Sequence, residues 1–539
     1  MNYFAFLANK LAHLCKHYFP KRPTFTTSYS LKNSMFHYII SHAKPFWLHL
    51  TYFIVVSLLG YMALKVSKPN TNANDLSNFD LFFTSVSAST VSSMTALEME
   101  VFSNDQLIVM TILMILGGEV FTSMLGLLLR RCKSLSNESK KIDNTSQPTI
   151  NSIELGTINQ MLPLPSNTRG SSFNIESFIS ADDWSSKYNN SIKCLGYVVL
   201  GYIITMHLVG STLVTMYISL TPSASNVLER KGLNLHTFSF FIVVSTFASC
   251  GFAPTNENMM VFRKNPGLLL ILMPQVFLGN SLYPPFLRFV IWVLERFTKR
   301  KEFDYMLNNY QELKYGHLLS SKKCWYLTAT TLAFVVLQFA LFCAMEWSSG
   351  VMEGMSSYQK IVGSFFQTAN IRHSGESIVD ISLLSGAVLV LFTVMMYLPA
   401  YTSFLPINDK QEEALENNAT MKKQNKKKIV ENMLFSQLSY LVIFVIVICI
   451  TERKSLKEDP LNFNVLNIVF EVISAYGNVG LSTGYSCKRR LKIDGNCEDK
   501  FYGFCGRWTN GGKFTLILVM FFGRLKIFNM HGGKAWTMF

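Results

Sequence analysis

Stretches free of Asp, Glu, Lys and Arg recur along this chain, and they decide most of what it can fold into. Pro45–Leu64, Cys194–Leu220, Asn265–Leu287, Cys324–Met345, Ile381–Pro406 and Asn432–Thr451 carry no such charge. Gln106–Leu129 is interrupted only by Glu119, and Phe514–Met530 only by Arg524 and Lys526. A helix needs about 20 apolar residues to cross a bilayer core. The sequence therefore predicts eight transmembrane helices, the last being the least apolar. Charged residues make up 15% of the chain, against roughly 25% in soluble domains, so a soluble reading lacks the charge to cover its surface.

Between the members of each pair of spans lies a Ser/Thr/Gly-rich stretch too short or too polar to cross. These stretches are about 80–97, 236–253, 359–377 and 463–484. Irregular backbone at membrane depth is tolerated only where it is buried or lines water. The pattern predicts an all-α membrane protein of four membrane–pore–membrane repeats, with four re-entrant pore loops and pseudo-fourfold symmetry around one pathway. The expected division is a segment 1–44, repeat 1 at 45–130, a linker 131–190, repeat 2 at 191–297, a linker 298–322, repeat 3 at 323–406, a linker 407–430 and repeat 4 at 431–539.

A net charge of +15 invites a nucleic-acid reading, but the basic residues sit in short runs beside apolar segments. Arg130-Arg131, Lys299-Arg300-Lys301, Lys322-Lys323 and Lys426-Lys427-Lys428 are of this kind. Such runs mark the cytoplasmic side and face anionic lipid. With no Asp or Glu in the first 46 residues, both termini are expected in the cytoplasm and no nucleic-acid partner is expected. The sequons at Asn137, Asn144, Asn189 and Asn418 then face the cytoplasm and stay unmodified.

The four loops read Phe83–Met94, Ser245–Phe252, Gln367–Glu376 and Ser474–Gly484. Each fits a short helix that stops at a small residue: Ser93, Gly251, Gly375 or Gly480. A cation filter replaces an ion's water with backbone carbonyls. An inward-directed helix brings its negative C-terminal end to the ion. A glycine just beyond lets the chain aim carbonyls at the axis. Ser93, Gly251, Gly375 and Gly480 are thus the candidate ligands of a monovalent cation.

Several motifs make the chain resemble the plant high-affinity potassium transporter (HKT) family, which belongs with the bacterial Trk and Ktr transporters. They are Thr84–Met94, the run Ser245–Met259, Arg372-His373-Ser374-Gly375-Glu376 and Ser474–Tyr485, with Gly117-Gly118-Glu119, Met355–Tyr358 and Gly523-Arg524. The resemblance runs from about residue 45 to the C-terminus. It implies one cation pathway per chain, a plasma-membrane location and a homodimer. In that family a serine at the first filter position marks sodium-selective members, whereas a glycine usually accompanies potassium transport. Ser93 stands at that position, so the resemblance implies a sodium-selective uniporter or channel-like carrier, and a plant role in clearing sodium from the transpiration stream. Mixed sodium and potassium permeation through the same pore is the alternative.

The resemblance places Arg524 below the filter, where it would repel cations or pair with a pore-loop acid such as Glu471. Otherwise Arg524 merely reaches the interface. Glu119 is expected to meet ions or to serve as a buried structural carboxylate. Glu257, Glu376 and Asp380 are expected near the outer mouth, as a cation-concentrating ring or as solvated surface acids. A neutral Ser249 gives no push toward potassium, and His373 is expected to pack and hydrogen-bond. Cys194, Cys324, Cys343 and Cys449 read as packing residues. Cys487, Cys497 and Cys505 share one polar loop and admit a disulfide if that loop is extracellular. Gly511-Gly512 lacks a nucleotide-binding pattern, and no nucleophile is arranged beside a base, so no enzyme and no cofactor are expected.

Overall fold

The computed structural model describes residues 45–70, 77–129, 175–398, 401, 437–490 and 497–529. The 1–44 segment, most of the 131–190 linker with Asn137 and Asn144, and the 407–430 linker with Asn418 lie outside the described residues. Residues 1–49 and 50–539 form separate units by packing. Of the described residues, only the opening of one helix belongs to the first unit, and all the remaining elements belong to the second.

Every regular element among the described residues is helical. Four short helices lie at the expected half-spans: α2 (Asn78–Ser89), α7 (Leu235–Phe247), α12 (Ser357–Asn370) and α16 (Val465–Gly477). They have 12, 13, 14 and 13 residues. At 1.5 Å per residue each reaches about 20 Å, short of the roughly 30 Å bilayer core. Each starts at a polar N-cap whose side chain accepts a backbone N–H: Ser77, Asn234, Ser356 and Asn464. A cap of this kind satisfies one of the donors that the first turn of a helix leaves without an intrahelical partner.

Around them run the longer helices. α1 (Pro45–Val66), α5 (the stretch Lys187–Leu220 of the helix Ile175–Leu220) and α11 (Ser321–Glu346) are long and apolar enough to cross a membrane. Two helix pairs are long and apolar enough only when taken together, and each is bent. α3 (Asn104–Gly117) passes to α4 (Glu119–Leu129) at 56°, and α8 (Pro266–Leu278) to α9 (Tyr283–Thr298) at 84°. The helix that ends in α5 begins at Ile175, inside the segment expected as linker. α6 (Pro222–Lys231) follows it, and α10 (Lys301–Asn308) follows α9. α13 (Gly386–Tyr397) starts later than the expected Ile381, because Asp380 caps a short turn, Ile381–Leu383, in its place. α14 (Gln437–Thr451) is short as described, α15 (Arg453–Glu458) follows it, and α17 (Asn510–Asn529) carries Lys513, Arg524 and Lys526.

The packing departs from that of a soluble protein: apolar side chains fill the core and also cover much of the outside. Large apolar residues face outward, with Leu59 at 65% and Val336 at 65% exposure. Ser85, Ser87, Ser89, Thr90 and Ser92 are fully buried. Ser85 Oγ donates to Ser57 O at 2.7 Å, and Ser57 Oγ pairs with Ser89 Oγ at 2.6 Å. Small hydroxyl residues let helices approach closely in lipid while satisfying each other.

Candidate functional site

The ends of the four short helices share one construction. After α2, α7 and α16 the chain reverses, and Ser92, Cys250 and Val479 donate their N–H groups back to Ser87 O, Ser245 O and Ser474 O at 2.8, 2.8 and 3.0 Å. After α12, Gly375 N–H reaches Asn370 O at 2.9 Å. The next residue, or Gly375 itself, takes a left-handed backbone: Ser93 (φ 41°), Gly251 (94°), Gly375 (67°) and Gly480 (91°). Gly251 and Gly480 are held further, their N–H groups donating to Ser245 Oγ and Ser474 Oγ, both at 3.1 Å. Val91, Ser249 and Asn478 are also left-handed, two residues before the ring in three of the four loops. Such conformations cost a non-glycine residue about 1 kcal/mol or more and persist only where the surroundings hold them.

These four residues form a closed circuit. A Cβ on Gly480 would lie 1.6 Å from Ser93 Oγ, one on Gly375 would lie 2.0 Å from Val479 O, and one on Gly251 would lie 1.5 Å from Ser374 O and 3.1 Å from Ser93 Oγ. Each loop thus touches the next, in the chain order 93, 251, 375, 480. On one side the ring opens to a cavity of about 310 Å³, whose wall includes Glu257, Asp380 and Asp499. On the other lies a cavity of about 90 Å³, lined by Val91, Ser249, His373 and Asn478 together with Glu119 and Arg524. The larger is termed the outer cavity and the smaller the inner, after the orientation proposed below.

Glycines in the long helices hold the loops from behind. A Cβ on Gly117, Gly279 or Gly523 would lie 2.1, 1.9 or 2.1 Å from Ser89 O, Phe247 O or Tyr476 O. Each of those carbonyls belongs to the residue four places before a ring member. Gly117 and Gly279 stand at the two bends, so close approach and bending share one residue in each.

A family profile described as "TrkH: Cation transport protein" matches residues 160–531. The rice (Oryza sativa subsp. japonica) "Cation transporter HKT1;3" is 49% identical, over 92% of this chain and 92% of its own length. The Arabidopsis thaliana "Sodium transporter HKT1" is 48% identical, over 88% and 92%. The chain belongs to the plant HKT family of cation transport proteins. The rice "Cation transporter HKT2;4" is 40% identical over 90% and 93%. Among solved structures, the potassium transporter TrkH of Vibrio parahaemolyticus aligns at 14% identity and a TM-score of 0.48, over 91% of this chain and 84% of its own.

In this HKT chain the charged residues sort themselves around the ring. Arg524 lines the inner cavity, donates Nη2 to Gly117 O, and places its guanidinium 5.7 Å from the Phe53 ring centroid. Among the described residues it makes no ion pair with Glu471. Glu471 is buried on α16, where it accepts the Cys505 N–H at 3.0 Å. Glu119 lines the inner cavity with Arg524, its Oε1 lying 3.8 Å from His317 Nε2. Glu376 corrects the expectation of an outer-mouth acid. It is fully buried and accepts the Thr246 hydroxyl of α7 at 2.6 Å, because a carboxylate removed from water needs a donor. Asp380 is exposed on the outer cavity, whereas Glu257 is taken by Lys231.

His373 packs and hydrogen-bonds as expected, with Nδ1 2.7 Å from Ala369 O and Nε2 2.8 Å from Ser281 Oγ. Ser249 accepts from Asn280 Nδ2 at 3.0 Å. Cys487 and Cys497 form a disulfide with Cα atoms 5.8 Å apart, and Cys505 is buried and free. Sequence reasoning passed over Lys526 and Asn280 on the inner cavity, and Lys231, which pairs with Glu257 of the outer cavity's wall. Lys526 stands two places from Arg524 in an apolar run and was legible on the same grounds; the other two carry no local signal.

Proposed function

We propose that this chain is a passive, sodium-selective uniporter of the plasma membrane, and that Ser93, Gly251, Gly375 and Gly480 form its filter. Four membrane–pore–membrane repeats with eight transmembrane helices surround the pathway, and both termini face the cytoplasm. The observation that carries this reading is the closed circuit of four left-handed residues between two cavities. A left-handed residue after a helix end turns successive carbonyls toward a common axis, and the short helices direct their negative ends there. Ions moving between the cavities would exchange water for those oxygens.

Sodium preference rests on Ser93. Its hydroxyl donates to Val479 O at 3.1 Å and fills space beside Gly480. One quarter of the ring therefore differs from the other three, and a site shaped for a larger, easily dehydrated ion is spoiled. The name of the Arabidopsis relative, a sodium transporter, agrees. Two-electrode voltage clamp in oocytes tests the reading: external sodium should move the reversal potential and external potassium should not. Equal shifts for both ions would favour mixed permeation through the same pore.

A further inference from the structure

Beside the outer cavity, whose wall includes Glu257 but neither Lys231 nor Glu100, the segments after the first two loops are clasped by one ion-pair cluster. Lys231 closes α6, where a cation suits the negative helix end. Its Nζ lies 2.7 Å from Glu100 Oε1, and 2.8 and 2.7 Å from Glu257 Oε1 and Oε2. Glu100 sits in the turn Met99–Val101 beyond Ser93, and Glu257 immediately before the turn Asn258–Phe262 beyond Gly251. The two segments also exchange hydrogen bonds: Glu100 N–H donates to Asn256 Oδ1 at 3.0 Å and Asn256 N–H to Glu100 Oε1 at 3.1 Å. The side chains of Lys231, Glu100 and Glu257 are 22%, 27% and 27% exposed, so water and ions reach them. Asn256, Glu257 and Asn258 belong to the wall of the outer cavity.

We propose that Lys231 is a built-in counter-cation that sets the ion supply at the outer mouth and bars divalent cations from the Glu100–Glu257 pair. The proposal rests on the outer cavity being the mouth of a cation pathway. With the ammonium in place the cluster carries one net negative charge; without it, two. Fixed charge at a cleft mouth concentrates permeant ions, an effect that salt screens. Two carboxylates spaced to grip an ammonium from both sides also offer the oxygen ligands that calcium takes. Burial draws the Lys231 ammonium toward neutrality, but its hydrogen bonds to Glu100 and Glu257 and their charges outweigh that and hold its pKa above the ordinary lysine value. The counter-charge is therefore permanent at physiological pH.

The test compares sodium currents of wild type, Lys231→Gln, Lys231→Arg and Glu257→Gln in oocytes, at matched surface density. In about 10 mM sodium chloride, where the screening length is about 30 Å, Lys231→Gln should raise inward current roughly twofold or more, and the gain should vanish in high salt. External calcium should block Lys231→Gln and spare both wild type and Lys231→Arg. Glu257→Gln, which leaves the cluster neutral, should lower current in low salt only. Two results would overturn the proposal: Lys231→Gln or Glu257→Gln currents equal to wild type in low salt, or currents lost equally at every ionic strength without calcium sensitivity. If Lys231→Gln fails to reach the surface, Glu257→Gln alone decides by its salt dependence. Wild type passing no sodium current would instead sink the pathway reading itself.

Discussion

The Ser93 hydroxyl occupies the space that a side chain on Gly480 would need: a Cβ there would lie 1.6 Å from Ser93 Oγ and 2.6 Å from Ser92 O. First and fourth loops are interlocked at this point, and Ser93 Oγ donates to Val479 O beside it. The fit leaves no room for a methyl group, and φ of 91° at Gly480 adds strain for any other residue.

Gly480→Ala is therefore expected to abolish sodium current. The strain alone is about 1–3 kcal/mol, and one of the clashing atoms is backbone. Gly126→Ala, where a Cβ meets nothing within 4 Å, should behave as wild type. Surface biotinylation with voltage clamp checks both. Normal current in Gly480→Ala would refute the close packing of the ring.

Gly523→Ala tests the support behind the fourth loop. Its Cβ would lie 2.1 Å from Tyr476 O, so α17 must move away from α16. Overpacking of this kind costs about 1–3 kcal/mol. The purified variant should show a lower apparent melting temperature than wild type, by a few degrees, in a thermal-shift measurement. An unchanged value would mean that the two helices have slack.

The disulfide makes a prediction about chemistry. Peptide mapping without reductant should recover Cys487 linked to Cys497, with Cys505 unmodified by a thiol reagent in the native protein because it is buried. Closing a loop of this size is worth about 2–3 kcal/mol to the segment. Cys487→Ser should therefore leave it more open to protease than in wild type. A Cys505 disulfide would contradict the arrangement.

Much of this was legible in the residues. The four half-length helices and the small residues after them followed from helix length, glycine and bilayer thickness, whereas the left-handed turn at Ser93 did not. The hydroxyl ladder of Ser57, Ser85 and Ser89 was hidden, because periodicity does not say which serine meets which. Glu376 and Glu471 misled for a common reason. Their positions in sequence adjoin the loops, but their partners, Thr246 and Cys505 N, come from other segments. Lys231 was invisible for the same reason: its two acids lie 131 and 26 residues away.

Arg524 should limit the rate without setting the preference. It lines the inner cavity with Lys526 and Arg372, against one acid, Glu119. Removing one positive charge from that wall raises the local cation concentration. Arg524→Gln retains a donor for Gly117 O, and should carry roughly twofold or more sodium current at the same surface density. Its reversal potential should equal that of wild type in voltage clamp. A smaller current would mean that the arginine serves chiefly to join α17 to α3.

The central claim is that the ring chooses the ion, and Ser93 is where it can be tested with one substitution. The measurement is the reversal potential of wild type and Ser93→Gly as external sodium is replaced by potassium. Wild type should follow sodium by about 59 mV per tenfold change and ignore potassium. Ser93→Gly should admit potassium about tenfold better than wild type, a difference of about 1.4 kcal/mol. Identical reversal potentials in the two proteins under every sodium-to-potassium ratio would contradict the account.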